Sequence, residues 1–211
     1  MSDYILHCFA QSGNAYKAAL MLELSGADWK PEWVDFFNGA TRQEGFREGV
    51  NEMGEIPVLV HGDLRLSQSG VILDYLVETL GTFGWETEAE RREILRWILF
   101  DNHKLTGYAA TLRFLRFIAK TGETDVVKWL ETRATAAYAI LDKHLDGREF
   151  VVGNKPTIAD LSLCGYLYWP DEIGIDLRPY TNITRWLETL KALPGWQHPY
   201  DLMPGHPLPG A

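Results

Sequence analysis

The texture of the chain changes at Gly81-Thr82-Phe83-Gly84, and that change limits the folds open to it. Upstream, apolar runs of strand length alternate with segments of helical spacing. Residues 4–9 (Tyr-Ile-Leu-His-Cys-Phe) read as a strand, and Ala15, Ala18/Ala19 and Leu22 mark a helix over residues 14–25 that Gly26 is placed to end. Glu32-Trp33-Val34-Asp35-Phe36 alternates like a second strand, and a short polar helix is expected over residues 43–50. Ile56-Pro57-Val58-Leu59-Val60 and Leu64-Arg65-Leu66 flank His61-Gly62-Asp63, a hairpin signal because Gly and Asp tolerate turn dihedrals. Ser69–Leu80 is helical again, with Val71, Ile72, Tyr75 and Leu76 on one face.

Downstream, every periodic segment has helical spacing. Ile94, Trp97/Ile98, Asp101, Leu105, Tyr108, Leu112 and Leu115 trace one stripe through a long helix or a kinked pair. Val127, Leu130, Ala134, Ala137, Leu141 and Leu145 trace another, and Thr157-Ile-Ala-Asp160 opens a third helix as a capping box. Residues 185–193 close the set. The tail from Pro199 to Ala211 holds four prolines and is expected to be an extended strap or disordered. The layout is α/β followed by all-α. Residues 1–80 form a small α/β domain, 81–88 a linker, 89–198 a helical domain and 199–211 the tail.

The 211 residues can bury a core without disulfide help, and 46% hydrophobic with 23% charged residues is ordinary globular composition. Twenty basic against 29 acidic side chains leave a formal charge of −9, which offers no electrostatic footprint for nucleic acid or anionic lipid. Cys8 and Cys164 sit in apolar surroundings with no CxxC, which fits a reducing compartment, and Cys8 is expected in the core. The first residues lack a signal-peptide pattern, and no stretch approaches the ~18 apolar residues of a membrane span. The expectation is a cytoplasmic protein with no membrane and no nucleic-acid partner. No His or Cys cluster suggests a metal.

Three segments resemble one family. They are Asn51-Glu-Met-Gly-Glu-Ile-Pro-Val-Leu59, Leu66-Ser-Gln-Ser-Gly-Val-Ile-Leu-Asp-Tyr-Leu76, and the Thr157/Asp160 capping box. Together, in this order and spacing, they are similar to the cytosolic glutathione transferases over nearly the whole chain. The resemblance implies a thioredoxin-like N-terminal domain (βαβαββα), a helical C-terminal domain, a homodimer, glutathione as co-substrate and an apolar electrophile as second substrate. Ser12-Gly13-Asn14-Ala15-Tyr16-Lys17 further resembles a bacterial Ser-Gly-Asn-x-x-Lys subgroup and the Nu-type enzymes, some of which reduce disulfides with two glutathiones.

The resemblance implies roles for particular residues. Ser12 and Asn14 would stabilise the glutathione thiolate, although either residue type also suits a plain helix cap. Pro57 would be cis, leaving the backbone of Ile56 open to pair with the cysteinyl unit; otherwise it is an ordinary edge-strand proline. Gln68 and Ser69, opening a helix, would take the γ-glutamyl end, with capping a compatible second role. Glu55 stands beside the proline where a basic or neutral residue is commoner, and Glu52 follows Asn51 where the family has proline. A carboxylate at Glu55 would repel an anionic tripeptide unless it meets the ammonium or a cation. Arg42 and Lys17 are the cations considered for the glycyl carboxylate. Tyr4 lies too early to serve as a catalytic tyrosine. Phe9 and Tyr108 are expected to line the co-substrate pocket, or else to be core. Asp101, a charge on an apolar stripe, either faces glutathione across the dimer interface or pairs with Arg96 or Lys104. Glutathione-dependent disulfide reduction and non-catalytic ligand binding are the competing functions.

Overall fold

A computed structural model describes residues 3–208. The described residues divide into two compact units: the first comprises residues 3–84 and 193–208, and the second is Trp85–Ala192. In the first unit, β1 (Tyr4–Cys8), α1 (Gly13–Leu24), β2 (Trp29–Trp33), α2 (Glu44–Gly49), β3 (Val58–His61), β4 (Leu64–Ser67) and α3 (Ser69–Leu80) follow one another. The sheet order is β2-β1-β3-β4, with β2 parallel to β1 and the other pairs antiparallel. This is the thioredoxin-like βαβαββα arrangement.

Helix α1 has no polar face. All of its residues from Gly13 to Leu22 except Asn14 are buried, because it packs against β1, α3 and the C-terminal segment. The second strand lies at Trp29–Trp33, three residues before the alternating run that suggested it. Parallel pairing sets this register, Tyr4 opposite Trp29 and Cys8 opposite Trp33. Pro31 is accommodated because β2 is an edge strand, where a missing N–H breaks no ladder bond. The hairpin turns at Gly62, whose φ of +58° favours glycine.

The second unit is helical: α4 (Glu88–Phe100), α5 (Thr106–Arg113), α6 (Asp125–His144), α7 (Ile158–Leu163), α8 (Pro170–Ile173) and α9 (Thr181–Lys191). The stripe from Ile94 to Leu115 runs through α4 and α5, joined by a wide π turn over Asp101–Leu105 in which the Thr106 N–H reaches back to the Asp101 carbonyl. A second π turn, Phe114–Ile118, ends the run. The capping box closes on α7: Thr157 Oγ1 accepts from the Ala159 N–H at 3.2 Å, and Asp160 Oδ2 accepts the Thr157 N–H at 2.8 Å. Asp160 does more than cap. Its Oδ1 accepts from the Val151 N–H and from the indole N–H of the fully buried Trp186, each at 2.9 Å. Burial pushes this carboxyl up, against four hydrogen bonds that pull it down.

Two expectations about the chain's end need correction. Residues 193–198 belong with the first unit and not with the helical one. The proline-rich tail opens with a helical turn, α10 (Pro199–Leu202), because Pro199 occupies the first helical position, where its missing N–H is not needed.

Candidate functional site

Strand registers bring three junctions to one end of the sheet. His7 of β1 faces Val58 of β3, and Val58 faces Ser67 of β4. The end of β1, the start of β3 and the end of β4 therefore lie side by side. They carry Ser12, Pro57 and Gln68-Ser69.

Ser12 is the N-cap of α1 and is 6% exposed. Its Oγ accepts the Ala15 N–H at 3.1 Å, and its hydroxyl hydrogen goes to no acceptor among the described residues. Capping therefore uses the oxygen as an acceptor and leaves its hydrogen unengaged among the described residues. Asn14 is half-buried in the first turn of the helix; its Oδ1 is shut off from solvent with no partner among the described residues.

The Ile56–Pro57 peptide is cis. Neither the N–H nor the C=O of Ile56 is bonded to a described residue. The loop before it is held by Asn51, 8% exposed, whose Oδ1 accepts from the Met53 N–H at 3.2 Å while its Nδ2 donates to the Glu55 carbonyl at 2.8 Å. At Gly54, φ is +66° and a Cβ would stand 2.8 Å from the Thr41 carbonyl oxygen and 2.9 Å from Arg47 Nη2. The loop thus admits only glycine there, and Arg47 of α2 lies against it. Asn51 and Arg47 were not read as site residues. An Asn two residues before a loop N–H is an Asx-turn signal that could have found the first; nothing in the spacing marks the second.

Gln68 has φ +69°, an unusual backbone for a residue with a side chain, at a cost of order 1–3 kcal/mol. Its Nε2 donates to Glu55 Oε2 at 2.9 Å. Glu55 is therefore already engaged by a neutral donor. Ser69, 6% exposed, opens α3, whose first-turn N–H groups point out of the helix end.

Asp101 is fully buried inside the helical unit, where Thr106 Oγ1 donates to Oδ1 at 2.7 Å and Ser162 Oγ to Oδ2 at 2.6 Å. It faces neither a cleft nor Arg96, which pairs with Glu93. Phe9 is 6% exposed, stacked on Phe36 (4.9 Å) and edge-on to Phe37 (5.3 Å), a core ring and not an open lining. Tyr108 is half-buried and packs edge-on against Trp129 at 5.8 Å. Lys17 is fully buried, which removes it from a solvent-facing carboxylate, whereas Arg42 is exposed. Cys8 is fully buried and its thiol is pushed up to about 12, chiefly by burial. Among the described residues no group of three or more His, Cys, Asp or Glu could hold a metal, and no helix is long and apolar enough to cross a membrane.

Residues 3–78 match the Glutathione S-transferase, N-terminal domain, and residues 106–194 match the Glutathione S-transferase, C-terminal domain. The chain belongs to the glutathione S-transferase family of enzymes. Among curated relatives, Glutathione S-transferase P 1 of Xenopus laevis is 30% identical, over 92% of this chain and 90% of that protein. Glutathione S-transferase F14 of Arabidopsis thaliana is 28% identical over 97% and 88%. Among solved structures, a glutathione S-transferase from Pseudomonas fluorescens is 31% identical, covers 93% of this chain and 98% of its own, and superposes with a TM-score of 0.85. A glutathione transferase homologue from Lodderomyces elongisporus, solved with two glutathiones per subunit, is 25% identical over 97% and 100%, with a TM-score of 0.85.

Proposed function

We propose that the protein binds glutathione at the shared end of the sheet and that Ser12 holds its sulfur as thiolate for attack on a small apolar electrophile. The observation that carries this is the Ser12 hydroxyl: a buried cap that still has a hydrogen to give, at the N-terminus of a twelve-residue helix. Lowering a thiol from ~8.5 to about 6.5 takes ~2.7 kcal/mol. A charge-assisted hydrogen bond contributes about 1.5–3 kcal/mol and a helix N-terminus about 0.3–1 kcal/mol, which together span that requirement. Asn14 assists from the first turn.

The rest of the site suits the tripeptide. The unbonded N–H and C=O of Ile56 pair with the cysteinyl backbone as an added strand would. Ser69 and the start of α3 take the γ-glutamyl carboxylate. Glu55, steadied by Gln68, faces the ammonium, which turns a repulsive carboxylate into a counter-ion. Arg47 is a better placed cation for the glycyl carboxylate than Lys17 or Arg42, because it borders the Gly54 loop. In the reaction the sulfur lone pair forms the new S–C bond and the displaced group leaves with its bonding pair. The functional unit is a homodimer; a monomer-sized species by sedimentation at micromolar concentration would count against that.

A second reading, glutathione-dependent disulfide reduction, draws support from the Ser-Gly-Asn segment and from the relative holding two glutathiones per subunit. Turnover assays separate them. An aryl halide conjugated with glutathione, and lost in Ser12→Ala, supports the transferase. Turnover of a glutathione mixed disulfide with an inert aryl halide supports the reductase. Neither activity, with glutathione bound equally by wild type and Ser12→Ala, leaves a binding protein.

A further inference from the structure

The C-terminal segment meets the loop that carries Ser12. The Ala10 N–H donates to the Pro204 carbonyl at 2.7 Å, and Gln11 Nε2 donates to the Gly205 carbonyl at 2.8 Å. Gln11 is 5% exposed, so this pair is shielded from water, where an unmet polar group is costlier than at the surface. Gly205 is fixed from the other side as well. Its φ is +96°, and a Cβ would stand 2.7 Å from Trp33 Nε1. Both facts exclude a side chain at this position without displacement of the strap.

The strap is itself anchored. Tyr200 stacks on His206 with centroids 3.6 Å apart and planes at 8°. Tyr16 Oη donates to the Gln197 carbonyl at 2.8 Å, and Gln197 Nε2 to Glu23 Oε1 at 3.0 Å. The segment is thus tied both to the body of α1 and to the loop before it. Inside that loop the Ser12 N–H donates to the Phe9 carbonyl at 3.0 Å, so a shift of Gln11 is carried to Ser12, its immediate neighbour. A misplacement of about 1 Å at a reacting group is enough to cost much of its effect.

We infer that the Pro204–Gly205 strap is a working part of the thiol site, and that Gln11 is a positioning residue holding Ser12 on glutathione's sulfur through it. The inference rests on Ser12 being the thiol donor. The test uses full-length Gln11→Met, Gly205→Ala and the double variant, with fold checked by far-ultraviolet circular dichroism. Two quantities are read: hydrogen exchange at the Ala10 amide, and the pH titration of the bound glutathione thiolate.

Gly205→Ala should speed Ala10 exchange by about tenfold or more, because the amide loses its carbonyl. Each single variant should move the thiolate titration up by about one unit, tenfold less thiolate on the acid side, while glutathione affinity stays within about threefold. The double variant should match the singles, since both cut one tether. Faster exchange with an unmoved titration overturns the positioning role, as do additive effects. Unchanged Ala10 exchange in Gly205→Ala overturns the tether. A wild-type titration in the ordinary thiol range overturns the Ser12 reading instead, and is told apart because Ala10 exchange still responds.

Discussion

Replacing Asp160 with asparagine should destabilise the protein by about 3 kcal/mol, and the structure supplies the reasons. The carboxylate is fully buried and accepts four hydrogen bonds, two on each oxygen. Asparagine keeps one acceptor, enough for the Val151 N–H and the Trp186 indole. Its NH2 then faces the Thr157 N–H and hydroxyl. The hydroxyl can turn, but the backbone N–H cannot, and an orphaned buried donor costs about 1–3 kcal/mol. The retained bonds also lose their charge assistance, which adds a further ~1–2 kcal/mol. For a chain of this size each kcal/mol shifts the melting temperature by about 2–4 °C, so the drop should be roughly 6–12 °C. Urea denaturation followed by circular dichroism and tryptophan fluorescence measures the loss. Asp160→Ala, which strands all four donors, should cost more than Asp160→Asn. Thr157→Ala should be less than additive with Asp160→Asn, because the two share bonds. A cost below ~1 kcal/mol for Asp160→Asn would refute the reasoning that unmet donors set the magnitude.

The Ser12 cap predicts that Ser12→Ala lowers stability by about 1 kcal/mol while Ser12→Gly costs only a few tenths, in urea midpoints measured without glutathione. Cys8 and Cys164 are both fully buried, and the Cys8 thiol is pushed up to about 12, so neither should react with a thiol reagent in the native protein and both should after unfolding. Burial holds His7 below its ordinary value, against the opposing charge of Glu32. The unfolded chain therefore takes a proton before the folded one, and stability should fall as pH drops below about 6.5. His7→Gln should flatten the change in urea midpoint between about pH 7.5 and about pH 5.5.

Elements governed by local chemistry were legible in the sequence, and elements governed by distant partners were not. The hairpin and α3 follow from Gly62 and from the apolar face ending at Leu80, and the Thr157/Asp160 box marks its own helix. The second strand was displaced because pairing with β1, and not its own alternation, sets where it lies. Asp101 looked functional because a lone charge on an apolar stripe has no partner in view. Ser162, 61 residues on, supplies one that no spacing reveals. Phe9 looked like a pocket wall until Phe36 and Phe37 closed around it. At the candidate site, Ser12, Pro57, Gln68 and Ser69 lie in recognisable motifs, whereas Glu55 departs from one. Asn51 leaves only an Asx-turn signal, and the Gln11 side chain reaches a backbone carbonyl 194 residues away, which leaves no pattern in a sequence.

The central claim is that the Ser12 hydroxyl stabilises the thiolate of bound glutathione. The ultraviolet thiolate band, followed against pH with saturating glutathione in wild type and in Ser12→Gly, tests it at a cost to the helix cap of only about a few tenths of a kcal/mol. The account predicts half-ionisation near pH ~6.5 in wild type and a rise of about one to two units in the variant, the loss of one charge-assisted hydrogen bond. Identical titrations in the two proteins, or a wild-type band that appears only near the ordinary thiol value of ~8.5, would contradict it.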